Sequence, residues 1–80
     1  MIKTNKLKNP IKIRLEEMEM SIATFAIAMC VSYGTAHMWI SGLNKVPAKR
    51  FERMKLALEY PEIQKEYEIW RKGFENADLL

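Results

Sequence analysis

Residues 20–42, MSIATFAIAMCVSYGTAHMWISG, decide how this chain folds. Ser21 and Ser32 each precede a run with helical spacing, and serine is among the best helix N-caps because its side-chain oxygen accepts an otherwise unpaired backbone N–H. The first run, Ile22 to Met29, is apolar nearly all round, which marks a helix buried on most sides. Ala23, Ala26 and Ala28 in it let a neighbouring helix approach closely. Cys30-Val31 makes a short turn. The second run, Tyr33 to Ile40, ends at Gly42, the residue best suited to the left-handed backbone that closes a helix. Two short helices thus meet at a tight turn. Val31, Ala36 and Trp39 hold the second one down, while Tyr33, Gly34, His37 and Met38 occupy its free face.

The same logic extends outward. Asn9-Pro10 is a cap followed by the proline that suits a first helical position. A helix from there to about Met18 places Ile11, Leu15 and Met18 on one face. After a polar connection at Leu43 to Val46, Pro47 opens a fourth helix to about Glu59, with Phe51, Met54 and Leu58 inward. Pro61 stops it and starts a fifth helix to about Phe74. There Ile63, Tyr67, Trp70 and Phe74 form one stripe. The expected organisation is a flexible basic arm at 1–8, an all-α domain of five helices at 9–74 and a frayed tail at 75–80. The expected core comprises Leu15, Phe25, Ala26, Val31, Ala36, Trp39, Phe51, Met54 and Leu58. The fifth helix has two readings, core closure or dimer interface; Ile69, Leu79 and Leu80, outside the stripe, favour a homodimer.

Composition sets the limits. With 49% apolar and 29% charged residues among 80, the chain suits one globular domain with a single core. The lone Cys30 is expected to be a small buried residue. With His37 as the one histidine, there is no zinc spacing, and no metal or cofactor is implied. A reducing, cytoplasmic setting follows as the expectation. The apolar run Ile22 to Val31 is too short to span a bilayer. Glu16, Glu17 and Glu19 between it and the basic N-terminus speak against a signal peptide. No nucleophile, base and acid fall into a catalytic pattern, so an enzyme is not expected.

Charge is distributed in blocks around a net +3. Lys3, Lys6, Lys8, Lys12 and Arg14 precede the two-helix segment without an acid among them. Lys45, Lys49, Arg50, Arg53 and Lys55 follow it against Glu52 alone. Two basic blocks on either side of a neutral segment suit a polyanion; the other reading is solvated surface charge.

Two helices at a tight turn form a helix-turn-helix, the motif whose second helix enters the DNA major groove. The pattern V-S-x-x-T-x-x-x-W-x-x-G, here Val31, Ser32, Thr35, Trp39 and Gly42, resembles the Cro and phage-repressor family, the lambda-repressor-like DNA-binding domains. Leu15, Met20-Ser21 and Pro47 also match its layout, and the resemblance covers about residues 9–59. It implies a four- or five-helix domain, operator binding to double-stranded DNA and commonly a dimer. By position it implies base contacts from Tyr33, Gly34 and Met38, and phosphate contacts or capping from Ser32 and Thr35. Lys45, Lys49 and Arg50 fall where the family runs beside the DNA backbone.

Two positions depart from the pattern. Ile22 stands where the family often has Gln. The third helix carries no Arg, Lys, Gln or Asn, the bidentate readers of guanine and adenine. His37 either donates to a base edge or phosphate or is an ordinary exposed side chain, and Met38 either meets thymine methyls or is simply exposed. The expected function is a sequence-specific transcription regulator of phage or mobile-element type. The alternative is a protein-interaction module in which the uncharged third helix binds a protein partner, such as a repressor.

Overall fold

The computed structural model describes residues 8–77, with the side chains of 74–77 outside that description. The helices are α1 (Pro10–Glu17), α2 (Ile22–Met29), α3 (Tyr33–Ser41), α4 (Phe51–Ala57) and α5 (Ile63–Ala77), with a 3-10 turn at Ala48–Arg50 leading into α4. No strand occurs among the described residues, so the fold is all-α. The expected Lys3 and Lys6 of the basic arm, the Phe74 side chain, Leu79 and Leu80 lie outside the described residues.

Three helix starts follow the caps expected from sequence. Asn9 accepts from the Ile11 N–H with Pro10 at the first helical position. Ser21 accepts from the Thr24 N–H and Ser32 from the Thr35 N–H, both at 3.1 Å. The fourth start differs. Pro47 precedes the 3-10 turn, and α4 begins at Phe51 without a side-chain cap. At the other end of the chain α5 continues to Ala77, three residues into the segment expected to be a tail.

The helix ends are where the sequence is least explicit. Gly42 is left-handed as expected, but so are Glu19, Cys30 and Glu59, with φ of 55°, 59° and 51°. Each closes a helix with the same pair of hydrogen bonds. Cys30 N donates to Ile27 O and Val31 N to Ala26 O; Glu19 and Met20, and Glu59 and Tyr60, repeat the pattern after α1 and α4. This is the Schellman closure, in which the residue after the left-handed one packs back on the helix. Met20, Val31 and Tyr60 therefore rest partly buried against the core. That geometry corrects two expectations. Val31 is half-buried rather than central, and Cys30 is exposed rather than buried.

A residue with a Cβ in left-handed backbone carries a cost of roughly 1–2 kcal/mol. Cys30→Gly is therefore expected to raise stability by about 0.5–1 kcal/mol, because glycine's greater unfolded-state entropy offsets part of the gain. Cys30→Val should lower it. Urea unfolding of the two variants checks this, and a destabilised glycine variant would contradict it.

The core joins all five helices: Ile11 and Leu15 from α1, Phe25, Ala26 and Met29 from α2, Ala36, Trp39 and Ile40 from α3, Phe51 and Met54 from α4, Ile63, Tyr67 and Trp70 from α5, with Val46 and Leu58 from the connections. Ile63 and Tyr67 are fully buried, and Trp70 nearly so. The aromatic stripe of α5 thus closes the core of a single chain, and these residues are not available to a partner.

Polar side chains tie the elements together. Asn9 is 4% exposed; besides capping α1, its Nδ2 donates to Trp39 O and Ile40 O at the end of α3. Arg14 Nε donates to Leu58 O at 2.8 Å, and the guanidinium lies 5.5 Å from the Tyr60 ring centre. Tyr60 donates its hydroxyl proton to Glu66. That bond, then burial and the nearby carboxylates, push the phenol up to about 12, so the donor stays protonated through neutral pH.

Candidate nucleic-acid interface

The turn between α2 and α3 fixes which face of α3 is free. Ala36, Trp39 and Ile40 are buried, so the helix is held along one side. Tyr33, Gly34, Thr35, His37 and Met38 line one shallow groove on the opposite side. Tyr33 is 56% exposed and Met38 37%. The Tyr33 and His37 rings stack, with centroids 6.2 Å apart and planes at 21°. One helical turn separates them, so each limits the other's orientation. A Cβ added at Gly34 would meet only Ser32 Oγ, at 3.9 Å. Glycine is thus not demanded there by the protein's own packing.

Ser32 and Thr35 are occupied with one another. Ser32 Oγ accepts from Thr35 N at 3.1 Å and donates to Thr35 Oγ1 at 3.0 Å. Of the two roles expected for them, capping is the one the geometry displays.

A sixth residue joins this groove from outside the helix. Asn44 lines it from the connection after α3, held there by its backbone N–H donating to Met38 O at 3.2 Å. It brings the side-chain amide that α3 itself lacks. The signal was present in sequence as the first amide after the helix; its proximity to Tyr33 and His37 depends on the chain turning back at Gly42.

Two cations stand next to residues of this groove. Lys12 of α1 lines a neighbouring groove with Ser21, His37 and Ser41, a placement the sequence reading did not single out. Lys45, next to Asn44, borders a separate groove towards α5. Lys49 and Arg50 share neither groove with α3; they sit in the 3-10 turn, Lys49 exposed and Arg50 half-buried. The connection that carries Asn44 and Lys45 is braced from below. Val46 N donates to the hydroxyl of buried Tyr67 at 3.1 Å, and Arg71 Nη1 donates to Gly42 O at 2.7 Å.

Other basic residues of the two blocks are engaged within the fold. Arg14 holds the end of α4. Arg53 Nη1 donates to Ala28 O at 3.3 Å. Lys8 pairs with Glu16, and Lys55 with Glu52. Block charge in the sequence therefore overstates the cations free to meet a polyanion. Among the described residues no group of His, Cys, Asp and Glu could hold a metal ion, and no helix is long and apolar enough to cross a membrane. Compared with known proteins, the chain matches no family model, no curated protein and no solved structure.

Proposed function

We propose that the chain is a sequence-specific DNA-binding transcription regulator, inserting α3 into the major groove of an operator. The observation that carries this reading is the exposed α3 face: Tyr33, Gly34, His37 and Met38 converge with Asn44 in one groove, with Lys12 in a groove that shares His37 and Lys45 next in the chain to Asn44. Aromatic, imidazole and thioether groups can meet base edges and thymine methyls, and an asparagine amide can pair with adenine N6 and N7. The long-range attraction comes from outside α3, through Lys12, Lys45, Lys49 and Arg50, because α3 has no cation. The resemblance to Cro and phage repressors suggests a phage or mobile element as the setting. Bound at a promoter, such a domain would exclude polymerase. A homodimer has less behind it, since Ile63, Tyr67 and Trp70 of the α5 stripe are in the core; among the described residues Ile69, 64% exposed, is the large apolar side chain of α5 outside it.

Selection from a pool of random duplexes tests the proposal. The expected result is an enriched motif whose preference changes with Tyr33→Ala or Asn44→Ala, the latter costing about 1–3 kcal/mol of discrimination at one position. Lys49→Ala/Arg50→Ala should weaken binding to all sequences alike and flatten the log–log salt slope by about 1–2. If no duplex is enriched, a protein partner for the uncharged α3 face becomes the better reading.

A further inference from the structure

The groove beyond Lys45 gathers basic side chains that the α3 face does not use. Lys65, Arg71 and Lys72 of α5 line it together with Lys45, opposed by Glu68. Gln64 Nε2 donates to the Glu68 carboxylate at 3.3 Å, which leaves that charge partly satisfied. Arg71 donates Nη1 to Gly42 O, which fixes its charge at the edge of the groove. Lys45, Lys65 and Lys72 are exposed, and none of them makes a salt bridge among the described residues.

Spacing gives this cluster a direction. Lys65 and Lys72 are seven residues apart, two turns on the same side of α5, and so about 10 Å apart along the helix axis. Both ammonium groups can therefore meet the backbone of one DNA strand, which carries a charge for every rise of about 3.4 Å along the duplex. Consecutive residues of the connection after α3 serve the two grooves, Asn44 lining the α3 groove and Lys45 this one.

We infer that Lys45, Lys65 and Lys72 form a second phosphate-binding ridge, which carries the DNA backbone from the end of α3 along α5. This rests on the DNA-binding reading and extends it: α5 becomes part of the contact surface rather than a dimer interface. The partner is the duplex sugar–phosphate backbone, recognised by charge and spacing without regard to base.

The test is the salt dependence of binding to a mixed-sequence duplex for the full chain, Lys65→Gln, Lys72→Gln, the double variant and Lys55→Gln. Lys55 loses the same charge but faces Glu52, away from this groove. Each α5 substitution should flatten the log–log slope by about 0.9, the double by about 1.8, and Lys55→Gln by nothing. Unchanged slopes for the α5 variants, with the parent chain still binding DNA, overturn the ridge and leave the α3 reading intact. Equal flattening by Lys55→Gln also overturns it, by reducing the effect to net charge. A parent chain that binds no duplex overturns both. Circular dichroism of each variant confirms that the fold is retained.

Discussion

Trp39→Ala is expected to lower the unfolding free energy by about 3–5 kcal/mol, the range for deleting a buried aromatic from a packed core. Trp39 is 4% exposed and lies in the one cluster shared by all five helices. It also sits at the end of α3, where its carbonyl accepts from Asn9 and from Gly42. A cavity there loosens the seating of α3 as well as the core. Domains of this kind hold about 5–15 kcal/mol in total, and small ones lie at the low end. The variant should therefore be largely unfolded at modest temperature. Met38→Ala, on the opposite face of the same helix, should stay within about 1 kcal/mol of the parent. Thermal and urea unfolding of the pair separate the core role from a general effect on α3. A Trp39→Ala melt that matches the parent would refute the assignment.

Asn9→Asp should cost about 2–3 kcal/mol at neutral pH, although it preserves both shape and the capping oxygen. In the parent, Asn9 works in two directions. Its Oδ1 accepts from Ile11 N at 3.0 Å, and its Nδ2 donates to Trp39 O at 3.0 Å and Ile40 O at 3.2 Å. An aspartate keeps the first bond. It then sets a carboxylate oxygen against two carbonyl oxygens in a site with almost no water access. Burial and these acceptors favour the protonated acid, which can still donate, so the variant's carboxyl pKa in the folded state rises above its unfolded value. The sign follows from linkage: the deficit is full above the raised folded pKa and shrinks as pH falls towards the unfolded value of about 4. Asn9→Ala, which loses all three bonds, should be as weak at every pH. Urea unfolding as a function of pH distinguishes the two variants. A pH-independent deficit for the aspartate would show that the amide donor does not matter.

These two residues show how unevenly the fold was legible. Capping chemistry is local, so Asn9, Ser21, Ser32 and Gly42 announced their helix ends in the sequence, and helical spacing assigned Trp39, Ala36, Phe25 and Leu15 to the interior. The long-range half of Asn9's role has no local signature, because Trp39 and Ile40 are thirty residues away. The left-handed ends at Glu19, Cys30 and Glu59 were hidden for a different reason. No glycine marks them, and tertiary packing of Met20, Val31 and Tyr60 holds the backbone there against its intrinsic preference.

For the candidate site, periodicity along one helix was enough to put Tyr33, Gly34, His37 and Met38 on a common face. What it could not supply was neighbours from other elements. The return of the chain at Gly42 brings Asn44 into the α3 groove, Tyr67 and Arg71 fix the connection that carries it, and α1 brings Lys12 alongside. The same packing gives Arg14 and Arg53 backbone carbonyls to bind, which fixes where those charges stand. The α5 stripe was ambiguous in sequence because an apolar helix face looks the same whether its cover is the chain's own core or a second molecule. The four preceding helices decide it, since they leave a gap that Ile63, Tyr67 and Trp70 fill. Sequence alone thus determined the five helices, the capped starts of the first three and the free face of α3, which depend on chemistry a few residues apart. Tertiary structure alone decided which charges remain available, what stands beside that face and what α5 covers, because those depend on which distant elements the core draws together.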